Sequence, residues 1–148
     1  MTPNTDGAPT MRTTTRNVTL WTVQVLLAAL FLFAGTMKFV MPDAALAAQS
    51  PFSVSFIHFI GVCEILGAVG LVLPWATRVA RWLTPLAAAG LVIIMLGAVA
   101  TTLAIGGGAG AAVPFVVGAL SLYVARGRSR IPTAVTPLPA RRAHAKAA

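Results

Sequence analysis

Acidic side chains are almost missing: Asp6, Asp43 and Glu64 are the only three in 148 residues. Charged residues of both signs make up 9% of the chain, where a soluble domain carries roughly a quarter. An ordinary water-soluble globule is thereby excluded, and lipid must be the solvent for most of the sequence. Cysteine is equally scarce. Cys63 stands alone, so an intrachain disulfide, a CxxC redox pair and a cysteine-built zinc site are ruled out. Its expected role is that of a small apolar packer inside a helix. Only two histidines occur, His58 and His144. One histidine near one carboxylate is a poor metal pattern, and no metal site is expected. No haem-type histidine pair and no nucleotide-binding motif is present.

What the chain has in quantity is apolar: 57% of residues are hydrophobic, and mean hydropathy is +0.85. The length allows one domain. Residues 1–18 are polar and Thr-rich and read as a flexible tail. Residues 20–40 carry no charge except Lys38, enough at about 1.5 Å per residue to cross a hydrocarbon core of roughly 30 Å. Ala45, Leu46 and Ala47 mimic a signal-peptide cleavage site, but the apolar run is too long and three more follow, which favours a retained span. A second span is expected over residues 56–73, stopped by Pro74. A third is expected over 83–105, ended by Gly106, Gly107 and Gly108, and a fourth over 109–125 with Pro114 near its start. Between the first two, Asp43 after Pro42 predicts a capped, Ala-rich interfacial turn. Phe52, Phe56 and Phe59 suit a headgroup boundary, as do Trp75 and Trp82 on the other side. The expected architecture is therefore all-α: a four-helix transmembrane bundle over 19–126, with a basic, Pro- and Ala-rich disordered tail over 127–148.

The excess of basic residues, eleven Lys and Arg against three acids, would suggest nucleic acid in a soluble chain. Here the cations flank apolar runs or lie in the tails, without base-stacking aromatics among them, and no nucleic-acid partner is expected. Arg12 and Arg16 precede the first span, Arg78 and Arg81 join the second to the third, and six more follow the fourth, leaving Lys38 alone on the other face. The positive-inside bias then predicts that both termini are cytoplasmic.

Each predicted span carries a stripe suited to close packing. On the first, Gln24, Ala28, Phe31, Gly35 and Lys38 share one line at about 100° per residue, with Phe31 expected to fill a gap on a neighbour. Gly61, Glu64, Gly67 and Ala68 do so on the second; Thr84, Ala88, Leu91, Met95, Ala98 and Thr102 on the third; Gly118, Ser121 and Ala125 on the fourth. Gln24 and the threonines are expected to hydrogen-bond between helices. Glu64 stands out. It lies roughly 12 Å inside the boundary, where a carboxylate needs a partner, a proton or a wet cavity. Lys38, near the end of the antiparallel first span, is the natural partner. Glu64, Lys38 and His58 are accordingly the candidates for ligand or proton binding. His58 lies about 120° around the axis from Glu64 and suits an interfacial position.

The run Phe33-Ala34-Gly35-Thr36-Met37-Lys38-Phe39 is similar to the Gly-x-x-Lys signature of the DoxX-like family of small bacterial membrane proteins. Gly61-Val62-Cys63-Glu64-Ile65-Leu66-Gly67-Ala68, closed by Leu73-Pro74, resembles its Glu-Ile-Leu-Gly motif. Leu83-Thr84-Pro85-Leu86 and Met95-Leu96-Gly97-Ala98 also fit. The resemblance covers about residues 20–125 and implies a four-helix fold in the bacterial inner membrane. It further implies a non-catalytic subunit or assembly factor of a quinone-linked oxidoreductase system, not an enzyme on its own, with quinone as the implied cofactor and redox subunits as implied partners. The residues alone leave open a second role, a carrier or binder of a small lipophilic or protonatable molecule through Glu64.

Overall fold

The computed structural model describes residues 11–129. Five α-helices and one short 3-10 helix are present among them: α1 Met11–Val40, α2 Asp43–Gln49, α3 Val54–Thr77, α4 Leu83–Ala104, a 3-10 turn at Gly108–Ala111, and α5 Ala112–Ser129. Four of these segments are long and apolar enough to cross a membrane: 15–40, 54–77, 83–104 and 108–129. The protein is thus an all-helical membrane bundle. Of the tails expected over 1–18 and 127–148, residues 1–10 and 130–148 lie outside the described residues.

Packing runs in chain order. α1 lies along α3, α3 along α4, and α4 along α5, with α5 closing more lightly on α1. The start of α1 and the end of α5 come to one end of the bundle, the termini end, where Arg128 reaches Asn17. α2 and the turn after α4 belong to the opposite end. The core is a column of Leu27, Phe31, Ala68, Leu71, Ala88, Leu91, Met95, Val124 and Ala125. Phe31 fills the interior as its stripe required, at 2% exposure. Large apolar side chains such as Leu26, Phe33, Leu66, Ile93, Leu96 and Phe115 point outward, the arrangement a lipid solvent rewards.

Helix limits differ from the hydropathy reading in ways that have physical causes. α1 begins nine residues earlier than residue 20, because its polar first turns remain helical beyond the apolar stretch, with the Thr19 and Thr22 hydroxyls donating to carbonyls one turn back. The expected tail over 1–18 is therefore helical from Met11, and the expected tail over 127–148 is helical through Ser129. Asp43 does not cap α2. Pro42 holds the N-cap position without a side-chain bond, and Asp43 is the first helical residue, where its charge suits the helix dipole. Ser53 does cap α3, accepting from the Phe56 amide at 3.4 Å.

Pro74 does not stop α3; it lies inside the helix. Proline removes one amide and crowds the carbonyl four residues back, which here is Gly70. The Thr84 hydroxyl of α4 donates to that carbonyl at 3.0 Å, and the Gln24 amide of α1 donates to the neighbouring Leu71 carbonyl at 2.5 Å. Neighbouring helices thus replace what the proline takes away, as membrane interiors require. α3 ends instead at Arg78, in the left-handed conformation at φ 62°. α4 closes in a Schellman arrangement: Gly106 at φ 78° donates to Leu103 and Gly107 donates to Thr102. Thr102 bonds its own helix at Ala98, so among these residues Gln24 and Thr84, not Thr102, bridge helices.

Candidate functional site: an embedded ion pair beside a lipid-side cavity

The site grows out of one helix crossing. Gly35 of α1 meets Gly61 of α3 so closely that a methyl on Gly35 would lie 2.8 Å from the Gly61 carbonyl oxygen. A methyl on Gly61 would lie 3.1 Å from the Gly35 oxygen and 2.9 Å from Phe39. No side chain beyond hydrogen fits between these backbones. Because the helices are antiparallel, the residue three places after each glycine lies against the other glycine: Glu64 Cβ beside Gly35, and Lys38 Cβ beside Gly61. The Gly-x-x-Lys and Gly-x-x-Glu spacings are therefore two halves of one contact.

Across it, Lys38 Nζ donates to Glu64 Oε2 at 2.6 Å, forming an ion pair, and lies 3.4 Å from the Ala34 carbonyl oxygen. The partners are unequally covered. The Glu64 side chain is 5% exposed and that of Lys38 24%. Glu64 depends on the pair, whereas the lysine stem can extend toward the boundary. At about 15 Å from the start of α3 by helical rise, the carboxylate has the partner its depth demands.

The pair sits in the wall of a cavity of about 620 Å³. α1 supplies Met37 and Lys38, α2 supplies Leu46, α3 supplies Cys63 and Glu64, and α4 supplies Ala98 and Thr102 among others. Apolar side chains dominate the remainder. Phe56, Phe59 and Ile93 belong both to this lining and to the outward-facing surface, so the cavity opens sideways between α3 and α4. Cys63 is half-buried and free, facing the cavity instead of being fully packed.

His58 takes a different place. Its ring stacks on Phe39 with centroids 5.1 Å apart and planes 11° from parallel. It is not part of the cavity lining. The structure thus brings two of the three candidate residues together and leaves the third on the flank of the same crossing.

A second polar centre, not anticipated from the sequence, lies at the termini end. Arg128, counted above among the tail cations, is 3% exposed. Its Nε donates to Gln24 Oε1 at 2.6 Å and its Nη1 to Asn17 Oδ1 at 2.9 Å. Its guanidinium carbon lies 3.9 Å from the centroid of Trp75 and 5.6 Å from that of Trp21. Gln24 is used at both ends of its amide, donating to Leu71 and accepting from Arg128, which settles its orientation. The sequence signal was Gln24 itself, an amide within the first apolar span with no partner assigned.

A family model described as the DoxX-like family matches residues 22–124. The chain finds no match among curated proteins or among solved structures. The match takes in the second and third spans, most of the first and fourth, the Gly35–Gly61 crossing and the Lys38–Glu64 pair, and bears out the resemblance read from the motifs: the chain belongs to the DoxX-like family.

Proposed function

We propose that the protein binds a small lipophilic molecule in the cavity between α1, α3 and α4, with a polar head held at Lys38 and Glu64. The observation that carries this is an apolar chamber of about 620 Å³ that opens toward lipid and has a single charged pair in its wall. Pockets of this size, apolar with a few convergent polar groups, are the usual form of a small-molecule site. The ammonium can donate to a carbonyl head and the carboxylate can accept from a hydroxyl or take up a proton. A quinone offers such a head in both its oxidised and its reduced form, and the family resemblance points to the same class. On this reading the chain is a non-catalytic, ligand-holding part of a quinone-linked oxidoreductase system in the bacterial inner membrane, with both termini cytoplasmic. The cation distribution supports that orientation.

The test is to purify the full chain from native membranes in a mild detergent and quantify co-extracted lipophiles by mass spectrometry. Ala98→Leu narrows the cavity while leaving the ion pair in place. A lipophile retained by the native chain and depleted several-fold in Ala98→Leu supports the reading, and its identity decides whether it is a quinone. Equal recovery from both proteins would refute it. A co-purifying protein that carries flavin, haem or iron–sulfur would identify the redox partner.

A further inference from the structure

We infer that the termini end of the bundle holds a site for a phosphate-type anion, centred on Arg128 and Trp75, whose natural occupant is the headgroup of an anionic phospholipid in the adjoining leaflet. The argument begins with the charge on Arg128. Its two bonded nitrogens meet only the neutral amide oxygens of Gln24 and Asn17, and its third, Nη2, is buried without a partner. Arginine in lipid-embedded protein is ordinarily paired, because a buried cation left uncompensated is costly. Among the described residues no carboxylate pairs with it. Glu64 is taken by Lys38, and Asp43 begins α2 at the opposite end.

A second orphan points the same way. Trp75 Nε1 is also buried without a partner, and it belongs to the indole on which Arg128 stacks at 3.9 Å. Two unpaired N–H donors, one of them cationic, are therefore held by one stacked pair. The surroundings add positive charge: the Arg81 guanidinium lies 5.0 Å from the centroid of the same indole, and Arg16, Arg78 and Arg126 are exposed on the segments that meet at this end. A phosphodiester supplies what is lacking, namely several acceptor oxygens and a negative charge, and guanidinium groups match its geometry. Both orphaned donors are covered in this structure, so a side chain at the rim must move aside for the anion; Arg81, exposed and lying against the same indole, is placed to meet it there. A lipid is the favoured source. Trp21, Trp75 and Trp82 gather at this end as interfacial aromatics do, and the adjacent exposed Val79, Leu83 and Leu86 offer an apolar path for acyl chains. A basic pocket between spans at headgroup depth is a recognised form of lipid site.

The experiment is a thermal-stability titration of the purified full chain with phosphatidylglycerol, phosphatidylcholine or inorganic phosphate at constant ionic strength. It compares the native protein with Arg81→Gln, Trp75→Phe and, as a charge-matched control, Arg78→Gln. Phosphatidylglycerol should stabilise the native chain saturably and phosphatidylcholine should not. Arg81→Gln should raise the half-saturating concentration about fivefold. Trp75→Phe, which keeps a ring but loses the N–H, should raise it several-fold, and Arg78→Gln should change it less than twofold. Stabilisation by millimolar phosphate that is sensitive to the same variants would keep the anion site and name free phosphate as its occupant. Equal effects of the two lipids without an effect of phosphate would overturn the inference. So would identical behaviour of Arg81→Gln and Arg78→Gln. Both readouts are independent of the cavity at the other end.

Discussion

The Lys38–Glu64 pair makes an energetic prediction whose asymmetry follows from its burial. Replacing Lys38 with Met leaves the Glu64 carboxylate, 5% exposed, without a counter-charge. Stranding one member of a buried pair costs about 3–5 kcal/mol. Replacing Glu64 with Leu strands a lysine that is 24% exposed and can redirect its stem to the boundary, so about half that cost is expected. The double variant Lys38→Met/Glu64→Leu removes both charges, and an apolar replacement of a whole pair is close to neutral. The two single losses sum to roughly 4.5–7.5 kcal/mol, so with a near-neutral double variant the coupling energy should exceed the roughly 0.5–3 kcal/mol usual for contacting residues. Unfolding titrations in mixed detergent micelles, run on all four proteins, measure it directly. If the two single losses add, the residues do not interact energetically and the 2.6 Å contact carries no weight. A double variant that is stable yet has lost its bound lipophile would assign the charges to ligand binding and not to packing.

Other outcomes follow from single contacts. Thr84→Val should destabilise by about 1–2 kcal/mol, since the Gly70 carbonyl freed by Pro74 then loses its replacement donor; in a Pro74→Ala background that loss should shrink, because the helix amide returns. Gly35→Val should push α1 from α3, given the 2.8 Å approach to the Gly61 carbonyl, and lower both stability and membrane accumulation, whereas Gly90→Ala, with nothing within 4 Å, should leave them unchanged. Reporter fusions after Trp82 and after Arg130 should read cytoplasmic and one within residues 106–108 should read external, as the cation distribution demands; an external reading after Arg130 would refute the orientation. Cys63→Ala should accumulate and fold normally, while Cys63 in the native chain should react with a membrane-permeant maleimide, since it lines the cavity.

Much of this was readable because lipid simplifies the code. Spans follow from runs of apolar residues, and the packing faces follow from where the small and polar residues recur, so Lys38 and Glu64 could be paired, and Gly35 and Gly61 placed on packing faces, before any contact was seen. Pro74 misled because hydropathy and propensity are local, whereas its tolerance depends on hydroxyl and amide donors from α4 and α1. Arg128 was misassigned for a related reason. An arginine just past an apolar run usually marks the end of a span, and only the convergence of Trp75, Gln24 and Asn17 from distant segments makes a place for it inside. The start of α1 was set too late because its polar, Thr-rich first turns continue the helix beyond the apolar stretch that hydropathy detects. The cavity could not be read at all, since its volume depends on how residues from four separate helices pack around it.

α1 is held at two points along one rod. Gln24 ties it to Leu71 and Arg128 near the termini end, and Lys38 ties it to Glu64 near the other. Fourteen residues separate these attachments, about 21 Å of helix. A rod fastened twice can neither piston nor turn about its axis without breaking one fastening. Bilayers of different thickness must then be met by tilting the bundle as a unit or by deforming the lipid, not by sliding one span past the next. The distance between the polar fastenings thereby becomes a ruler, fixing which depth of membrane this chain can occupy without strain.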